Sequence, residues 1–181
     1  MTTVVVYKWA RDVANAQVRS DGTVEWRSQK LTAGEDDPAA VATAMAIATA
    51  RGEDVVGVTL GDGDVSWALA RGAARAVSVA DAQVADDDAA TAAVLAAAVL
   101  TVPGADVVAI GDDEAHPGVA VTLAGHLGWP AVVGAVSAGV GADGIEVVRR
   151  VDDNKETLAI TPPVVIGVRA EQAETRTPGM K

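Results

Sequence analysis

The sequence predicts an α/β protein: a mostly parallel sheet flanked by helices in three layers, with an antiparallel strand extension near the C-terminus. Three observations predict it. Runs of β-branched residues alternate with Ala-rich stretches, the rhythm of strands and crossover helices. The first strand-like run is apolar on both faces, as a strand covered on two sides must be. After residue 131 helical signals cease and only strand-like runs follow.

In chain order, residues 3–9 (TVVVYKW) form the first predicted strand. Residues 17–27 hold Asp21-Gly22 between short alternating runs, which is hairpin chemistry, and form an excursion before the first helix. Residues 38–51 are Ala-rich, with Val41, Met45 and Ala48 on one face. Asp37 is the expected N-cap, Pro38 the first helical residue and Gly52 the stop. A strand follows over 54–60, a short helix over 65–71 ending at Gly72, and a strand over 76–80. Residues 88–101 form the next helix, with Asp88 as expected cap and Pro103-Gly104 as its end. The strand at 106–110 leads to a helix that opens at His116 or Pro117 and closes at Gly128. The last strand-like runs are 132–140, 145–151, 157–160 and 164–169, with Asp143-Gly144 and Asp152-Asp153-Asn154 as turns. Residues 171–181 are polar and aperiodic and read as an arm. No internal repeat is present.

Composition bounds the function. The chain has 181 residues, half of them apolar, enough for one domain with a real core. It has no cysteine, which excludes disulfides, thiolate metal sites and a cysteine nucleophile. Lys plus Arg is 14 against 25 Asp plus Glu, a formal charge of -11 that repels nucleic acid and anionic membranes. The N-terminus lacks a basic signal region and no apolar run is long enough to insert into a membrane, so the expected setting is the cytoplasm.

Most chemical motifs fail. Gly61-Asp62-Gly63 starts like a phosphate loop, but Ser66 stands where the third glycine belongs. No phosphate-binding GxxxxGK[ST], HExxH or GxSxG pattern occurs. His116 and His126, the only histidines, are ten residues apart and about 15 Å along a helix, too far to share a metal. His116 lies just beyond a strand end, where open α/β sheets place ligands. The acids Glu35-Asp36-Asp37 and Asp86-Asp87-Asp88 precede helices and read as caps. Asp112-Asp113-Glu114 sits on the ligand edge, where three charges are expected to repel a phosphate. No nucleophile and base can be paired, so no catalytic residue is assigned. Trp9 at the first strand tip could stack on a ring, although anchoring is the commoner use of tryptophan.

Several segments, in order, resemble the β subunit of electron transfer flavoprotein. These are VVVYKWARD, which looks like the family's first strand and the family's Val-Lys continuation and carries Tyr7-Lys8 here, the Asp37-Ala40-Ala44 helix start, ALARGAARAVSVAD, DDAATAAVLAAAV, AGHLGWP and the terminal ETRTPGMK. The resemblance implies an adenine nucleotide α-hydrolase-like fold, with residues 1–170 as one nucleotide-binding-like domain. It further implies a heterodimer with an α subunit that carries most of the FAD contacts. Such a complex takes electrons from acyl-CoA or other flavin dehydrogenases, and its β subunit buries a structural AMP. By position, AMP would lie against Val6, Lys8, Gly34 and Leu60-Gly61, its phosphate on the turn formed by Asp113, His116, Gly118 and Val119.

Departures argue against AMP. The family's phosphate turn, rich in hydroxyl and amide groups, is replaced by Glu114-Ala115-His116-Pro117-Gly118-Val119-Ala120, in which Pro117 lacks an N–H. Gly34 stands where the family has Asn. The sequence ends at Lys181, inside the family's recognition loop and short of its C-terminal arm. The alternative reading is a homodimeric adenine-nucleotide sensor similar to universal stress proteins, although that group's glycine-rich phosphate pattern is missing.

Overall fold

Val4, Val5 and Val6 are fully buried, and β1 (Thr2–Val6) therefore occupies the middle of the molecule. In this computed structural model, which describes residues 1–28, 30–61, 63–82 and 87–170, β1 pairs in parallel with β6 (Val55–Leu60) and β8 (Ala105–Gly111). β7 (Arg75–Val79) extends the sheet beyond β6, also in parallel. On the other side, β12 (Val164–Val168) pairs in parallel with β8. The predicted parallel sheet is thus present, and these five of its strands run β7-β6-β1-β8-β12.

The antiparallel extension is also present: β9 (Ala131–Gly141), β10 (Gly144–Val151) and β11 (Asn154–Ile160) form a meander on the same sheet. The last predicted strand does not join that meander. β12 inserts between β8 and β9, parallel to both, and all five of its residues are buried. The complete order of the eight-stranded sheet is β11-β10-β9-β12-β8-β1-β6-β7.

Side chains alternating along β1 divide the core in two. Val5 and Tyr7 pack beneath α1 (Asp37–Arg51) and α2 (Val65–Leu69). Val4 and Val6 pack beneath α3 (Asp88–Leu100) and α4 (Val119–Leu127). Small residues on the helices (Ala40, Ala44, Ala92, Ala96) let the helices approach the valine-rich sheet closely. Gly52 and Gly128 close α1 and α4 in the left-handed conformation, at φ 66° and 68°. No helix among the described residues is long and apolar enough to cross a membrane.

The first strand ends at Val6 rather than Trp9. Tyr7 still donates its N–H to the Val58 carbonyl at 3.0 Å, but Lys8 gives its N–H to the Asp37 carboxylate at 2.9 Å. The chain thereby leaves the ladder. Trp9–Arg11 becomes β2 and pairs with β5 (Leu31–Ala33) in a separate small sheet. The predicted hairpin is β3 (Ala16–Val18) with β4 (Val24–Trp26), and its turn uses Gly22 at φ 84°. Trp9 packs edge-on to Tyr7 and Trp67 at ring separations of 6.4 Å, an anchoring role. Burial pushes the Tyr7 hydroxyl up to about 12, with Asp64 and Asp37 adding to the effect.

Three helix starts differ from expectation. α3 is capped by Asp87, whose side chain accepts from the N–H groups of Ala89 and Ala90. α4 opens at Val119, so His116 lies in the turn before it. Asp37 is the first residue of α1, and its carboxylate is turned toward Lys8 and Gly34 instead of capping the helix. The predicted arm, 171–181, lies outside the described residues.

Candidate functional site

β1 and β8 are neighbours whose chains leave toward opposite faces of the sheet. β1 continues through the excursion to α1 on one face, and β8 continues to α4 on the other. Such a divergence opens a crevice beyond the strand ends, the usual ligand position in an open α/β sheet. Here it is a cleft of about 740 Å³ whose walls include Lys8, Gly34, Asp113, His116, Arg11 and Arg169.

Lys8 forms the floor. It is 1% exposed, and its Nζ donates to the Gly111 carbonyl at 2.7 Å and lies 2.9 Å from Asp113 Oδ2 and 3.8 Å from Asp37 Oδ1. A buried ammonium needs this much compensation, because removing it from water is otherwise prohibitive. Asp37 Oδ2 accepts from the N–H groups of Lys8 and Gly34, whereas the buried Oδ1 has no hydrogen-bond donor. Burial therefore pushes the Asp37 carboxyl up to about 6; Lys8 and the two N–H donors oppose the rise, and Asp113 adds to it. Gly111 makes the arrangement sterically feasible, since a Cβ there would fall 2.6 Å from Asp37 Oδ1.

Asp113 joins β8 to α1. Its Oδ1 accepts from the Asp36 N–H at 2.8 Å while Oδ2 faces Lys8. Asp36 in turn accepts from the Ala170 N–H at 2.8 Å, tying the start of α1 to the end of β12. Burial raises the Asp36 carboxyl, helped by Asp113 and Glu35 and opposed by the Ala170 N–H and Arg169. Asp112, 5% exposed, accepts from the Gly134 N–H and from Arg169 Nε, both at 3.1 Å.

Of the three acids expected to repel a phosphate at this edge, two have cationic partners within the chain. Lys8 offsets Asp113 and Arg169 offsets Asp112; Glu114 alone of the three is exposed. On the far side of the turn, Asp88 Oδ2 accepts from the Gly118 N–H at 2.8 Å and Oδ1 lies 3.3 Å from His116 Nδ1. Asp88 therefore serves α4, not only its own helix.

The structure brings Lys8, Gly34, Asp113 and His116 together on the cleft. It places Val6 and Leu60 in the core beneath α3 and α4, Val119 in the same core at the start of α4, and Gly118 against Asp88. Gly61 is occupied with the neighbouring strand: its N–H donates to the Val79 carbonyl and its carbonyl accepts from the Ser78 hydroxyl. Sequence reasoning missed the roles of Asp37 and Asp88, because an acid ahead of a helix looks the same whether it caps that helix or reaches across the fold.

No curated protein sequence matches the chain. Residues 27–181, spanning α1 to α4 and the whole C-terminal meander, match the family model described as electron transfer flavoprotein domain, and the chain belongs to that family.

Proposed function

We propose that this chain is the β-subunit-like partner in an electron transfer flavoprotein. In this reading it is a non-catalytic scaffold that pairs in the cytoplasm with an FAD-bearing α subunit and helps pass electrons from flavin dehydrogenases, acyl-CoA dehydrogenases among them. The family match over 27–181 carries the reading, and the ordered β-subunit-like segments give it direction.

The site geometry supports a scaffold. Lys8, Asp37 and Asp113 hold one another in a buried ion cluster that fixes β1, β8 and α1 in register. At the rim, Arg11 is an exposed cation of the kind that pairs with a dinucleotide pyrophosphate, and Arg169 lines the same cleft with its Nε on Asp112. When bound, the flavin supplies the electron-carrying ring; this chain supplies a rigid wall and charge at its edge.

Affinity purification of the tagged chain from its own cells tests the reading. It predicts co-purification of a larger subunit together with flavin absorbance. A flavin-free homodimer that retains adenine nucleotide would favour the sensor-like alternative and overturn the proposal.

A further inference from the structure

The family resemblance implies AMP, with its phosphate on the turn 113–119 and an adenine-side contact at residue 34. Carboxylates of this chain already occupy both places. An α-helix presents unpaired N–H groups and the positive end of its dipole at its N-terminus, which attracts an anion. At α4 that anion is Asp88: Oδ2 accepts from the Gly118 N–H at 2.8 Å, and Oδ1 lies 3.3 Å from His116 Nδ1. Pro117, between them, has no N–H to offer a second ligand.

Gly118 shows that the approach is built in. Its φ of -88° is open to any residue, so conformation does not require glycine. Space does: a Cβ on Gly118 would lie 2.9 Å from Asp88 Oδ2 and 3.3 Å from Asp88 Cβ. Residue 34 is independent and points the same way. A Cβ on Gly34 would collide with Asp113 Oδ2, so the family's Asn and the observed Asp113 carboxylate cannot share that position. Asp113 cannot readily move aside, because it is 6% exposed and held by Lys8 and the Asp36 N–H.

We infer that Asp88 is a built-in substitute for the nucleotide phosphate, and that this chain folds and assembles without AMP. Bound AMP would have to displace Asp88 from α4 and bring a doubly charged phosphate beside the displaced carboxylate. The inference does not depend on pairing with a flavin subunit, and its test reads nucleotide binding by this chain, so either idea can fail alone.

The test uses the purified 181-residue chain. Acid extraction followed by nucleotide chromatography is expected to release no AMP, and millimolar AMP is expected to leave the melting temperature unchanged. Asp88→Ala removes the substitute anion and should lower the melting temperature by roughly 3 °C, as expected for a lost helix cap in a chain of this size. Inorganic phosphate or AMP should then recover part of that loss in the variant while leaving the wild type unaffected. Asp88→Asn keeps the shape without the charge and provides the same comparison if Asp88→Ala does not fold. Stoichiometric AMP in the wild-type extract would overturn the inference. So would a wild-type melting temperature raised by AMP, or variants that ignore phosphate.

Discussion

Two pairs of helices in this protein begin in different ways. α2 and α3 are capped locally: Asp64 accepts from the Ser66 N–H, and Asp87 accepts from those of Ala89 and Ala90. α1 and α4, which flank the cleft, have no side-chain cap of their own. Each receives a carboxylate from elsewhere in the chain, Asp113 at Asp36 and Asp88 at Gly118. Local caps stabilise one helix. The remote ones also fasten elements together, so they should respond to mutation as parts of the fold's framework.

Breaking the framework should have the largest effect. Lys8→Met leaves Asp37 and Asp113 without their buried cation, and a loss of about 3–5 kcal/mol is expected in urea unfolding at neutral pH. Acidification should return part of it as the stranded Asp37 carboxylate takes up a proton. In the unaltered chain, the raised Asp37 value of about 6 means that the native state binds this proton more tightly than the unfolded state does. Its contribution to stability is fully present below about pH 3.8 and is lost as pH rises through about 6. Asp37→Asn should therefore flatten the decline of stability between about pH 4 and 6, measured by urea unfolding across that range.

The next effect comes from space. Gly34→Ala forces a methyl group onto Asp113 Oδ2 and should cost about 1–3 kcal/mol by the same assay. Gly125→Ala is the contrast: its Cβ meets nothing within 4 Å on an exposed turn of α4, and the variant should gain about 0.5–1 kcal/mol from helix propensity. At a local cap, Asp87→Ala should cost about 1 kcal/mol, with no recovery in phosphate. A phosphate response there would erase the distinction between Asp87 and its neighbour Asp88.

The same contrast explains what the sequence could reveal. The parallel strands were legible because Val, Ile and Ala fill them on both faces, and Gly52 and Gly128 marked helix ends through a local conformational need. The cleft was legible as a strand edge carrying Lys8, Asp113 and His116. The placement of β12 between β8 and β9 was not, because an apolar run of five residues does not state its partner. Asp37 and Asp88 each look like an N-cap in sequence because a helix follows them; the remote partners Lys8 and Gly118 lie 29 and 30 residues away. Local chemistry predicts local bonds, and the site is made of remote ones.

Native mass spectrometry of the assembly isolated from its own cells tests the central claim most directly. The account predicts one copy of this chain, one larger subunit and FAD, with no mass left for AMP. A bare monomer or a homodimer without flavin would contradict it.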